Sequence, residues 1–164
     1  MLNNVNFVEW FGNSELLTSD PLGTPIVFYH KSRSKDIFHE FKLEGEQIKK
    51  NPYNNDYGIF FVQKKDKKSV DYIGDGIDIY AYLRMEKPFL IWVNENGAID
   101  ILGNKHEPLY IPKSLVDKVC ELGYDGIIIA DDRHYSQYVV FNPNQIKSID
   151  NNGNFSRTSN NIFE

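Results

Sequence analysis

The sequence holds a single cysteine among its 164 residues, so no internal disulfide can staple it, and the chain suits a reducing compartment. No apolar run approaches the roughly 18 residues that cross a bilayer, which argues against a membrane partner. The opening MLNNVNFVEW has no basic start and no long apolar stretch. We therefore expect no cleavable secretory leader, and a cytoplasmic location or delivery into a target cell by a route that needs none. Positive charge is not in excess: 18 Lys and Arg face 23 Asp and Glu, a formal net charge of -5. This argues against a general phosphate-backbone binder and leaves nucleic acid at most an acceptor. Metal-ligand spacing is missing too. HEFKL begins like a zinc-binding helix, but Leu43 stands where the second histidine would be. Asp71 to Asp75 does not extend to a calcium loop, because Tyr82 occupies the place of the bidentate glutamate. No metal is expected. IGDGID lacks the third glycine of a dinucleotide loop and reads as a turn, and Asn154-Phe155-Ser156 is a glycosylation sequon without a secretory context.

What is present is a globule: 41% hydrophobic and 14% aromatic residues, enough for one domain with a packed core. NNVNFVEWFG predicts a short helix burying Val5, Val8, Trp10 and Phe11 and stopped by Gly12. SDPLGT is a turn, PIVFYH a strand, KDIFHEF a turn or two of helix, NPYNND a loop and YGIFFV a buried strand. KKDKKSVDYI predicts a solvated helix with Val70 and Ile73 inward. IDIYAYLRME alternates, with Ile77, Ile79, Ala81 and Leu83 on one face and Asp78, Tyr80, Tyr82 and Arg84 on the other. PFLIWV continues as a strand, and NENGAID turns the chain. IPKSLVDKVCELG is the clearest helix, with Pro112 near its start, an apolar face of Leu115, Val116, Val119 and Leu122, and Gly123 as its stop. Cys120 reads as a core thiol on that face rather than a nucleophile. YDGIIIA and YVVFN follow as core strands. Strands without regular helical crossovers predict an α+β fold, as a single domain over 1–155 with a mobile polar tail at 156–164.

Three stretches place a polar or aromatic residue where core packing does not require one: YHKS at 29–32, YGIFFVQKKDKKSVDY at 57–72 and SQYVVFNPNQIKS at 136–148. With WFGNSELL and PLGTPIVFYHKS ahead of them and YDGIII and VVFNPNQIKSIDNNGNF at the end, they resemble the ADP-ribosyltransferase domains of phage and plasmid polyvalent proteins. More distantly they resemble the His-Tyr-Glu branch of diphtheria toxin and the poly(ADP-ribose) polymerases. The resemblance implies a split β-sheet flanked by short helices, NAD as co-substrate, and a mobile-element or effector role. It implies a catalytic set of His30, Phe60 and Gln137, and NAD held by His30, Lys31, Ser32, Phe60 and Tyr72. The aromatic rings would wall the flat nicotinamide, the backbone at Lys31 would hold its carboxamide, and His30 would bond a ribose hydroxyl. The ribose becomes positively charged as its bond to nicotinamide breaks, and a carboxylate stabilises that charge in the parent branch.

Three positions depart from that pattern. Gln137 stands where the branch has glutamate, Lys31 where it has glycine, and Phe60 where it has tyrosine. Gln137 can bond a hydroxyl but supplies no charge, which disfavours chain elongation. The loop Asp131, Asp132, Arg133, His134, Tyr135 would meet the target, with Asp131 or Asp132 swinging in to replace the missing charge. A solvated loop is the plainer reading of the two aspartates. The expected activity is mono-ADP-ribosylation of a protein. The alternatives are an NAD glycohydrolase and a catalytically weak module that binds NAD, ADP-ribose or a partner.

Overall fold

The structure, a computed structural model, describes residues 3–18, 23–42, 58–96, 99–101, 104–106 and 113–164. The turn residue Pro21, the loop NPYNND and Pro112 lie outside the described residues. Seven strands form one mixed sheet: β1 (Phe28–Lys31), β2 (Ile59–Gln63), β3 (Asp78–Leu83), β4 (Pro88–Trp92), β7 (Gly126–Ala130), β8 (Gln137–Val140) and β9 (Ile146–Ser148), in the order β4-β7-β8-β2-β1-β3-β9. A separate hairpin pairs β5 (Ile99–Ile101) with β6 (Asn104–His106). With the helices α1 (Val5–Phe11) and α2 (Lys113–Glu121) and a 3₁₀ helix (Lys64–Ile73), this is the α+β fold expected. Among the described strands, only β4 and β7 pair in parallel. Helix α2 lies in the connection between them, as a crossover requires.

The strand alternation gives the sheet two apolar faces. One carries Phe28, Ile59, Phe61, Ile79, Tyr138 and Val140 and is covered by Phe7, Trp10 and Phe11 of α1. The other carries Ile91, Ile127, Ile129 and Val139 under Leu115, Val116 and Val119 of α2. Successive residues of β8 thus serve opposite cores, so no position in it is free for a polar side chain except at its mouth.

Helix α1 begins where Asn4 Oδ1 accepts the Phe7 N–H at 3.1 Å and ends at Gly12, whose φ of 56° suits glycine. Its inward residues are Phe7, Trp10 and Phe11, spaced i, i+3, i+4. The expectation that Val5 and Val8 share this face is corrected: they are 65% and 50% exposed. Leu122, just past the end of α2, turns outward, and Cys120 is exposed rather than a core thiol, one step around the helix from buried Val119. KDIFHEF forms bends instead of a helix, with Phe41 inserted in the core and Ile37 in solvent. Val70 and Ile73 of the 3₁₀ helix are only partly covered, since no residue of that helix is buried.

Residues 156–164 are packed down rather than loose. Ile162 is 1% exposed and exchanges main-chain bonds with Ser148 and His39. The buried Lys147 ammonium donates to the carbonyls of Ser159 at 3.0 Å and Asn161 at 2.8 Å. A buried ammonium needs such acceptors, and Ser159 and Asn161 supply them.

Candidate active site

Strands β1 and β2 pair only at Phe28 with Gln63 and Tyr29 with Val62, and then part. The Val27 carbonyl accepts from Lys64 N–H on the β2 side, while Ser32 N–H donates to Ile77 on the β3 side. Main-chain groups alternate along a strand, so the N–H and C=O of Lys31 point to the β2 side, into the opening. The split expected from the sequence is this local parting within one continuous sheet.

His30 sits at the parting. Its imidazole crosses to β2, where Nδ1 lies 2.8 Å from the Phe60 carbonyl, and packs against Phe41 and Phe61 at centroid distances of 5.0 and 5.3 Å. A carbonyl only accepts, so Nδ1 carries the proton and Nε2 keeps its lone pair in the neutral ring. Burial lowers the pKa of His30, against the opposing pull of the Phe60 carbonyl. The histidine is therefore an acceptor for a hydroxyl at neutral pH.

The opening leads into a cavity of about 170 Å³. His30, Phe60, Tyr72 and Gln137 line it, with Lys31 and Tyr135. A cavity of about 150 Å³ admits a benzene-sized ring, whereas sites enclosing a drug-sized ligand run to roughly 300–1,000 Å³. The space therefore suits one ring, with the rest of a larger ligand outside. Phe60 and Gln137 share a face of the sheet because the register sets Phe60 opposite Val139 and Val62 opposite Gln137. Gln137 heads β8, and among the described residues its amide has no hydrogen-bond partner. Val70 and Ile73 join Tyr72 in bringing the 3₁₀ helix over this space, and Tyr72 remains 73% exposed at its edge.

A charge cluster braces the wall. Asp78 stands opposite Lys31 in the β1–β3 register. Its carboxylate accepts from Tyr29 Oη at 2.8 Å, Lys31 Nζ at 2.8 Å and Lys67 Nζ at 2.5 Å. Lys31 Nζ also donates to the Gly76 carbonyl at 2.9 Å. Lys67 further reaches Tyr80 Oη at 3.0 Å and lies over the Tyr29 ring. The bonds from Lys31 and then Lys67 hold the Asp78 carboxyl well below the usual carboxylate range. Gly76 allows the chain to come this close, because a Cβ there would sit 1.8 Å from the Ser32 carbonyl oxygen. The Lys31 side chain is thus drawn aside onto β3, which leaves its main chain open to the parting.

A family model described as ADP-ribosyltransferase in polyvalent proteins matches residues 20–155. The chain belongs to this family. Neither the curated proteins nor the solved structures gave a match. Membership supports ADP-ribosylation as the general activity, with NAD the substrate this family uses.

In this ADP-ribosyltransferase domain, not every residue singled out from sequence comes to the cavity. Ser32 does not line it; its Oγ accepts the Ser34 N–H at 3.0 Å and shapes the turn after β1. Asp131 is occupied by the Arg133 N–H at 2.9 Å and His134 Nδ1 at 3.2 Å. Burial raises its pKa, but these bonds outweigh that and leave it lowered. Arg133 clasps the carbonyls of Asn94 and Glu95 at 2.7 and 2.9 Å, tying the loop to the end of β4. Asp132 is exposed and outside the lining. Of the five loop residues only Tyr135 reaches the cavity, where burial and then the neighbouring Tyr72 raise its pKa. Sequence reasoning missed Tyr29, Lys67 and Asp78 as a unit. The alternation of β3 marked Asp78 as outward but could not show that its partners lie on two other elements.

The Asp78 cluster has a pH signature. A depressed carboxylate contributes stability that is complete above its unfolded pKa, near 3.9, and is lost as pH falls through the lower folded value. Asp78→Asn should therefore flatten the fall in melting temperature below about pH 4 relative to wild type. Parallel acid melting curves would show that the cluster adds nothing.

Proposed function

We propose that the chain transfers a single ADP-ribose from NAD to a protein acceptor, serving as a mobile-element or effector protein. The observation that carries this is the set of residues lining one ring-sized cavity: Lys31, whose main chain turns toward the opening, the aromatic Phe60 and Tyr72, His30, and Gln137, whose amide has no hydrogen-bond partner among the described residues. The Lys31 N–H and C=O match a planar carboxamide, which needs one acceptor and one donor. Phe60 and Tyr72 offer faces to the ring. His30 Nε2 accepts from a ribose hydroxyl and fixes the sugar relative to the ring, and the Gln137 amide oxygen accepts from another. Bound there, NAD supplies the glycosidic bond whose cleavage frees nicotinamide and leaves the sugar carbon open to an acceptor.

No carboxylate lines this cavity among the described residues. That observation favours a second reading, a slow or non-catalytic domain that binds NAD or ADP-ribose. Incubation with NAD labelled in its ADP-ribose half and a bacterial lysate distinguishes the readings. Transfer predicts a labelled protein band that His30→Ala abolishes. Nicotinamide release without a band is a glycohydrolase. A thermal shift with NAD and no turnover is a binding module, and no shift at all removes NAD from the account.

A further inference from the structure

Lys31 is among the residues that line the cavity and, among the described residues, no Asp or Glu is. The Lys31 side chain is only 15% exposed and is fixed on β3 by Asp78 and the Gly76 carbonyl. Asp78, the anion that answers it, is shared with Lys67 and Tyr29 and lies outside the lining. Two ammonium groups on one carboxylate leave an excess positive charge beside a partly dry space. The neighbouring residues of the 3₁₀ helix reinforce that sign, with Lys64, Lys65 and Lys68 against Asp66 and Asp71. In water such an excess is screened, but beside a low-dielectric cavity it acts at close range.

We propose that Lys31 makes this cavity discriminate by ring charge, disfavouring a cationic pyridinium and favouring the neutral nicotinamide formed when the bond breaks. The inference rests on reading the cavity as the nicotinamide site. When the C–N bond of NAD breaks, both bonding electrons stay with the ring nitrogen. Nicotinamide departs neutral, and the positive charge passes to the ribose carbon. A fixed cation on the ring side opposes the starting charge distribution more than the later one, so it lowers the barrier by a difference between the two states. Gln137, on the ribose side, supplies no charge to do the same from the other end. The aromatic faces of Phe60 and Tyr72 act in the opposite sense, since they attract cations. The sign of the discrimination therefore reports directly on Lys31. The cation is a positioning and electrostatic element of the wall, and the atoms that change bonds belong to NAD and its acceptor.

The test needs no turnover. Nicotinamide and 1-methylnicotinamide, nearly the same shape but differing by one charge, are titrated calorimetrically into the full chain. Wild type should bind the neutral ring more tightly, by about tenfold. Lys31→Met should erase the preference, and Lys31→Arg should keep it. Lys31→Gln, which retains a donor for Asp78, is the neutral variant to use if the methionine variant does not fold. Where NAD cleavage is measurable, the neutral variants should lower kcat and also lower KM. A preference unchanged in the neutral variants, or wild type favouring the cation, overturns the proposal while the ring site stands. Binding of neither ring to folded wild type removes the ring site and the proposal together.

Discussion

Gln137→Glu should raise the rate of nicotinamide release from NAD by about 10- to 100-fold. The position borders the cavity at the mouth of β8, and the glutamine there is the same length as glutamate and without a hydrogen-bond partner among the described residues. The substitution changes charge with little change in shape. A carboxylate would face the sugar as positive charge develops on it, in a partly dry space where a full charge is worth several kcal/mol at ~4 Å. Partial burial among Phe60, Val62 and Tyr135 would raise the pKa of the new carboxyl. The gain should therefore grow as pH rises through the carboxylate range, because the ionised form is the one that helps. Gln137→Ala should move the other way by losing the hydroxyl contact. Release of nicotinamide measured for the three proteins across pH decides the matter. An alanine variant as active as wild type would remove Gln137 from the site.

Trp10→Ala should cost about 3–5 kcal/mol of folding stability, a large part of the roughly 5–15 kcal/mol that holds a domain together. Trp10 is 0% exposed and sits in a ring cluster with Phe7, Phe11 and Phe155 at centroid distances of 6.0, 6.2 and 6.0 Å. Its indole N–H donates to the Asn144 carbonyl at 3.0 Å, which joins the first helix to the turn before β9. Truncation leaves both a cavity and an unpaired carbonyl, and of the seven residues of α1 only Phe7 and Phe11 would remain buried. Trp10→Phe keeps the ring packing and loses the bond, so it should fall between wild type and alanine. Denaturant unfolding of the three proteins gives the comparison, and an alanine variant within 1 kcal/mol of wild type would mean that α1 contributes little to the core.

The strands around the cavity were legible because each is a compact apolar run, and their order is carried by register. His30 and Gln137 stand out in sequence because they end or open such runs, whereas Phe60 lies inside one and is singled out only by the family resemblance. His30, Phe60 and Gln137 are all among the residues that line one opening. Illegible were the features that depend on pairing between distant segments. Tyr29 and Asp78 are 49 residues apart in sequence and meet only because β1 lies beside β3. The role of Arg133 depends on where β4 ends, which its own loop does not reveal. On α1 the pattern of valines and aromatics allowed two faces, and packing against Tyr82 and Phe155 selected the aromatic one. The docking of residues 156–164 depends on a lysine inside β9, Lys147, whose apparent alternation in sequence gives no hint that its ammonium is buried.

The central claim is that nicotinamide occupies the space where β1 and β2 part. Intermolecular nuclear Overhauser contacts from the ring protons of bound NAD test it most directly. The account predicts contacts to the rings of Phe60 and Tyr72 and to the main-chain N–H of Lys31. Contacts confined to residues remote from that opening, with those three silent, would contradict it.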